Sequence, residues 1–237
     1  MNIIITGASK GIGKAIAAAY AGEGHRLFLC ARDEKVLSQT VTGLQAANPL
    51  SEIKAMPADL SERDAAESFG NWCLQYGVPD ILVNNAGQYM AGSIIDEARG
   101  NLEKMMAVNL YSAYHLTRTV LPQMIRDKSS LGQPRYIFNI CSIASLRAYP
   151  NGGGYSISKF ALMGFSKNLR EELKTHNIKV VAVYPGAVMT ESWGDFDNSG
   201  KRIMEAEDVA KMILAAGKLS AQAVVEDIVM RPLLGDL

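Results

Sequence analysis

Tyr155-Ser156-Ile157-Ser158-Lys159 sets a tyrosine and a lysine four residues apart. On a helix that spacing places both side chains on one face, one turn apart. A phenol with a pKa of about 10 is a poor acid at neutral pH, and a neighbouring ammonium favours the phenolate and brings the group towards the working range. The pair is a candidate general acid for a carbonyl oxygen. The same spacing occurs in helices that do no chemistry, so the surroundings must decide. Ser142 ends an apolar run, 135–141, where its hydroxyl would stand at the end of a strand. Asn109 falls inside a stretch patterned as a helix, 101–126. Asparagine is disfavoured there because it competes for backbone hydrogen bonds, which calls for a reason other than helix formation.

The elements that must position these groups follow from patterning. Short apolar runs at 2–6, 26–30, 52–56, 80–84, 135–141, 178–184 and 223–230 read as strands buried on both faces. Helical stretches near 12–23, 34–47, 62–76, 101–126, 155–175 and 206–218 alternate with them. Such alternation argues an α/β fold with a doubly wound parallel sheet of about seven strands, helices on both faces, and one domain over 1–237. Segments 127–134 and 193–200 read as surface loops. In open sheets of this kind ligands bind beyond the carboxyl ends of the strands.

The first strand end is informative. Thr6-Gly7-Ala8-Ser9-Lys10-Gly11-Ile12-Gly13 joins strand 2–6 to a helix. Glycines permit a tight turn and close approach of backbone to a pyrophosphate, and a helix N-terminus offers unpaired N–H groups and partial positive charge. An ordinary strand-to-helix turn is the plain alternative. Asn84-Asn85-Ala86-Gly87 follows another strand, where Asn side chains can satisfy backbone groups and small residues admit a ligand. Asp33 suits the N-cap of helix 34–47.

Taken in order, TGxxxGIG at Thr6–Gly13, Asn84–Gly87, Ser142, Tyr155–Lys159 and Pro185-Gly186 resemble the short-chain dehydrogenase/reductase family over nearly the whole chain. The resemblance implies an NADP(H)-dependent oxidoreductase with a Rossmann fold that moves a hydride between the nicotinamide and a carbonyl or alcohol carbon. It implies that Ser142 orients the substrate carbonyl and that Tyr155 donates the proton. Lys159 would lower the tyrosine pKa and hold the nicotinamide ribose, and Asn109 would support a water path. It implies a cofactor site made of Gly7, Ser9, Lys10, Gly11, Ile12, Gly13, Asp59, Leu60, Asn85, Ala86, Gly87, Tyr155, Lys159, Pro185, Gly186, Val188 and Thr190. The acidic position that holds a ribose hydroxyl in NAD-binding relatives is Ala31 here, and Arg32 follows it. With Lys10, Arg32 points to the 2′-phosphate of NADP. Asp59 has a competing use as a cap for the helix near Ser61. Cys141 stands where serine is common, and Gly152-Gly153-Gly154 leads into Tyr155, either as a permissive helix entry or as room for substrate.

The substrate is read less directly. Ser142, Ala144, Leu146, Tyr149, Tyr155, Trp193 and Phe196 are the expected pocket walls, with the two aromatics of 191–201 serving either as a lid or as packing against helix 206–218. Mostly apolar, they point to a small, largely apolar ketone or aldehyde. The alternatives are a 3-oxoacyl-(acyl-carrier-protein) reductase-like activity, with Arg126, Lys128, Lys167 and Arg170 as a basic patch, or an inactive NADP-binding regulator. An epimerase or dehydratase on this fold would have an extended substrate region, which is not seen here.

Composition narrows the rest. Of 237 residues 48% are hydrophobic and 20% charged, and the formal net charge is zero, which argues against nucleic acid as a partner. Three scattered cysteines and three histidines form no metal-ligand pattern, so no metal is expected and a reducing compartment is. No run approaches the roughly 20 apolar residues of a membrane span. A cytoplasmic protein without membrane association is expected, forming a homo-oligomer through helices 101–126 and 155–175.

Overall fold

The structure, a computed structural model, describes residues 1–127 and 132–236. Seven parallel strands form one sheet: β1 (Asn2–Thr6), β2 (Arg26–Ala31), β3 (Ile53–Pro57), β4 (Ile81–Asn84), β5 (Arg135–Ile140), β6 (Ile178–Pro185) and β7 (Asp227–Met230). Their order is β3-β2-β1-β4-β5-β6-β7. Chain order reverses between β1 and β4, and that is where a doubly wound sheet opens its ligand crevice.

The pleat divides the core in two. Ile3 and Ile5 of β1 face α1 (Gly11–Ala21), α2 (Glu34–Ala47) and α7 (Ala206–Ala216), packing with Ile16, Leu37 and Ile213. Ile4, between them, points the other way and packs with Phe69 of α3 (Arg63–Leu74), Leu116 of α5 (Ser112–Arg126) and Leu169 of α6 (Gly153–Leu173). Cys30, Cys73 and Cys141 are free thiols buried in this interior. Among the described residues no helix is long and apolar enough to cross a membrane.

Three expected boundaries shift. The run 101–126 is not one regular helix: α4 (Asn101–Met106) passes through a π-helical turn, Ala107–Tyr111, into α5. β7 begins at Asp227 rather than 223, because the stretch before it pairs with no neighbour as a strand. The long helix α6 starts at Gly153, two glycines ahead of Tyr155. Packing crowds those glycines, and Gly153 also borders a cavity beside Tyr149 and Ile157. A Cβ on Gly153 would lie 2.5 Å from the Gly92 carbonyl oxygen, and one on Gly154 2.9 Å from Met105 Cε.

Candidate active site

The glycine loop closes on itself before it could meet any ligand. Gly7 and Gly11 have φ of 61° and 54°, the left-handed region that favours glycine. Gly13 is buried against the loop, where a Cβ would lie 2.3 Å from the Gly7 carbonyl oxygen and 2.4 Å from Asn85 Nδ2. Asn85 ties this loop to the end of β4: its Nδ2 donates to the carbonyls of Thr6 at 2.9 Å and Gly7 at 3.1 Å. The backbone N–H groups of Asn85 and Ala86 both donate to Thr6 Oγ1 at 2.9 Å. Two motifs far apart in sequence thus form one rigid rim at the switch point of the sheet.

Beyond it, Lys10 and Arg32 are exposed. The Asp33 carboxylate accepts from the Val36 N–H at 2.9 Å, so it caps α2 as expected. Asp59 accepts from the Ser61 N–H and hydroxyl, yet the N-cap of α3 is Glu62, so Asp59 holds a turn before the helix instead of capping it. Leu60 is buried beside that turn, Ser9 holds Thr40 through its carbonyl at 2.8 Å, and Thr190 lies against Gly11.

One cavity of about 560 Å³ joins the rim to the predicted reaction centre. Ile12, Asn85, Gly87, Ser142, Ala144, Tyr149, Tyr155, Lys159, Pro185, Gly186, Val188, Thr190 and Trp193 all line it, as the sequence led one to expect. Ser142 follows β5 and its Oγ accepts from the Ala144 N–H at 3.1 Å, fixing the hydroxyl at the strand end. Tyr155 and Lys159 share a face of α6, with Lys159 Nζ 5.8 Å from the Tyr155 ring centroid.

Lys159 is only 4% exposed and donates to the Ile140 carbonyl oxygen at 2.8 Å. Loss of hydration disfavours its charged form and pulls its pKa down to about 8. Tyr155 behaves differently from expectation. Burial pushes its pKa up, and hydrogen bonding from the Ser142 hydroxyl only opposes this. Lys159, whose Nζ lies over the Tyr155 ring, is not among the groups that shift the phenol, and burial outweighs the rest.

Asn109 is the centre of the π-helical turn. Such turns widen a helix by one residue and often mark functional sites. The turn swings the Asn109 side chain inward, where Nδ2 donates to the Gln88 carbonyl at 3.0 Å and Ser158 Oγ at 2.8 Å, while Oδ1 accepts from the Gln88 N–H at 2.7 Å. It clasps the segment that follows β4 to the face of α6 bearing the Tyr–Lys pair. Gly87 lies between them, and a Cβ there would sit 3.3 Å from Asn109 Oδ1 and 3.5 Å from Lys159 Nζ.

The expected lid is reached only in part. Trp193 lines the cavity and its indole N–H donates to the Val188 carbonyl at 2.9 Å. Phe196 packs on Trp193, with ring centroids 5.1 Å apart, and is not among the cavity-lining residues; nor is Leu146. The indole anchors the segment, so its second aromatic supports the first. Of the expected basic patch, one member is turned inward. Arg170 is buried, donating to the Val180 carbonyl and pairing with Glu226 and Asp227, while Lys128 lies outside the described residues.

Eight wall residues escaped sequence reasoning: Gln88, Tyr89, Ile140, Cys141, Ile143, Arg147, Ala187 and Asp236. Tyr89 meets Tyr155 edge to face at 5.0 Å. Its place two residues past Gly87 was a usable signal. Asp236 had none, because only the tertiary fold brings the stretch after β7 to the cavity. There Asp236 pairs with Arg147.

A glycine-rich strand end at the switch point, opening into a cavity with a serine, a tyrosine and a lysine, defines a nucleotide-binding α/β oxidoreductase. The model of the short chain dehydrogenase family matches residues 1–199, and the chain belongs to that family. It is 31% identical to the sepiapterin reductase of Chlorobaculum tepidum, over 99% of this chain and 97% of that protein. Among solved structures it resembles an alcohol dehydrogenase from Thermococcus sibiricus complexed with 5-hydroxy-NADP, at 26% identity and a TM-score of 0.88, over 98% of this chain and 96% of that one. It also resembles the Pseudomonas aeruginosa RhlG/NADP complex, at 28% identity and a TM-score of 0.87, over 97% and 94% of the two chains.

Proposed function

We propose that this protein is an NADPH-dependent carbonyl reductase in which Ser142, Tyr155 and Lys159 act together on a ketone or aldehyde whose reacting end is held among apolar and aromatic side chains. The observation that carries this reading is the convergence of those three side chains, at the end of β5 and on α6, in a cavity that also opens onto the glycine loop.

The residues fit the cofactor. The glycine loop, Asn85 to Gly87 and Pro185 to Thr190 would hold it, and the space that a Cβ on Gly87 would fill adjoins Lys159. Exposed Lys10 and Arg32 would receive the 2′-phosphate, since the Asp33 carboxylate is engaged by Val36. Relatives solved with NADP support this choice. NADPH supplies the hydride when bound.

The chain's own part is positioning and proton delivery. Ser142 donates a hydrogen bond to the substrate oxygen. Tyr155, kept protonated by its burial, gives that oxygen its phenolic proton. Lys159 holds positive charge beside the phenol, and the side-chain clasp of Asn109 keeps the α6 face aligned with the segment after β4. Ala144, Tyr149 and Trp193 form the walls around the reacting carbon. Self-association belongs to the same reading: Tyr111 and Tyr114 on one long helix and Ile157 and Phe160 on the other are exposed apolar surface. A cytoplasmic location accords with three buried free thiols.

The test is NADPH consumption by the purified protein over a panel of ketones and aldehydes, with Tyr155→Phe as control. Oxidation of NADPH that requires both a carbonyl compound and the Tyr155 hydroxyl is the expected result; none with any of them would refute the reading.

A further inference from the structure

The outer end of the cavity carries charge that carbonyl reduction does not need. Arg147 follows Ser142 by little more than one turn and lines the same cavity as Ser142 and Tyr155. Its Nη2 donates to Asp236 Oδ2 at 2.5 Å. Nη1 of Arg231 lies 3.2 Å from the same oxygen. Two guanidiniums therefore share one carboxylate. A third, on Arg202, donates to the carbonyls of Gly235 at 2.9 Å and Asp236 at 3.1 Å. Asp236 is the one carboxylate among the described residues lining the cavity, whereas Lys159 and Arg147 both line it as cations. Among the described residues that line the cavity, cations therefore outnumber carboxylates two to one.

Arg147 is also built to receive a ligand. Its bond to Asp236 is its one side-chain hydrogen bond among the described residues, and 58% of its side chain stays exposed. Asp236 holds one edge of the planar fork and leaves the rest turned to solvent and cavity. A guanidinium so held has lost rotamer freedom in advance, and its fork geometry suits a carboxylate. The plain alternative is a tether for the chain's end. A tether would act equally on every substrate, and it gives no reason for the cation to line the cavity.

We propose that Arg147, positioned by Asp236, is a specificity residue that selects carbonyl substrates bearing a carboxylate at the end remote from the reacting carbon, that is, oxo acids with an apolar middle. The proposal rests on the reductase reading and adds to it the class of substrate.

The experiment uses the full chain with NADPH and a graded series of methyl-ketone carboxylic acids, each paired with its methyl ester. The readout is the ratio of kcat/KM for acid over ester. Wild type should favour the acid by roughly ten- to a hundredfold at the best chain length, the scale of a charge-assisted hydrogen bond. In Arg147→Leu that ratio should collapse towards one, and Arg147→Lys should restore part of it. Esters reduced as well as acids by wild type would overturn the proposal while leaving the reductase reading intact. An acid preference that survives Arg147→Leu would overturn it too. Oxidation of NADPH by no member of either series would overturn this proposal alone if other ketones or aldehydes are turned over, and both readings if none is. The wild-type ratio needs no variant, so poor folding of Arg147→Leu does not remove the test.

Discussion

Replacing Lys159 with Met should make the protein less active and, at neutral pH, no less stable, with a difference from wild type that depends on pH. Lys159 is 4% exposed and among the described residues its ammonium has one hydrogen-bond partner, the Ile140 carbonyl at 2.8 Å, with burial dragging its pKa from 10.5 to about 8. That drop corresponds to a folding cost of about 3 kcal/mol for carrying the charged lysine inside. Below pH about 8 both folded and unfolded chains hold the proton and the whole cost is present. Between about 8 and 10.5 the unfolded chain binds more protons than the folded one, so wild-type stability rises with pH as the cost is relieved. Methionine removes the cost but leaves the Ile140 carbonyl without its donor, which returns about 1–3 kcal/mol. Net stability at pH 7 should therefore match or exceed wild type by up to about 2 kcal/mol. The gap should move in favour of wild type by about 2 kcal/mol between pH 7 and pH 9.5. Urea unfolding of both proteins at several pH values reads this directly. A gap that stays constant over that range would refute the reasoning. The same group predicts that wild-type kcat/KM for reduction falls as pH rises through about 8, because the cavity then loses the ammonium proposed to hold the cofactor's ribose.

Four further outcomes are expected. Tyr155→Phe should lower turnover at least about a hundredfold, the scale of acid/base contributions, with cofactor affinity close to wild type by fluorescence titration. Arg32→Ala should weaken NADPH binding much more than NADH binding, because only NADPH carries the 2′-phosphate; equal wild-type affinities would count against the cofactor assignment. Gly13→Ala forces a Cβ to within 2.3 Å of the Gly7 carbonyl oxygen, so it should destabilise the fold by about 1–3 kcal/mol and weaken NADPH, seen by thermal melts with and without cofactor. Light scattering at micromolar concentration should report a homo-oligomer, and a species of 25.6 kDa alone would contradict it.

The fold and most of the site could be read from the chain because their physics is local. Ile3-Ile4-Ile5 buries both faces of a strand, which produces a continuous apolar run. The turns at Gly7 and Gly11 need left-handed backbone, and that demand is written in the residue type. The Tyr155–Lys159 pair needs only helical periodicity to share a face. Asn109 showed itself by being out of place in a helix, although the π-helical turn that gives the anomaly its purpose could not be foreseen. The three glycines before Tyr155 were visible, but not the Gly92 carbonyl and Met105 side chain that crowd them. Tertiary structure alone decided what depends on desolvation and long-range return of the chain. Burial settles the direction of the Tyr155 and Lys159 pKa shifts, and a residue's burial is set by elements far away in sequence. Arg170 looks like a surface cation until strand β7 brings Glu226 and Asp227 to it. Asp236 reaches Arg147 across 89 positions, a closure whose entropy only the packed sheet between them offsets, and no pattern of neighbouring residues could have announced it.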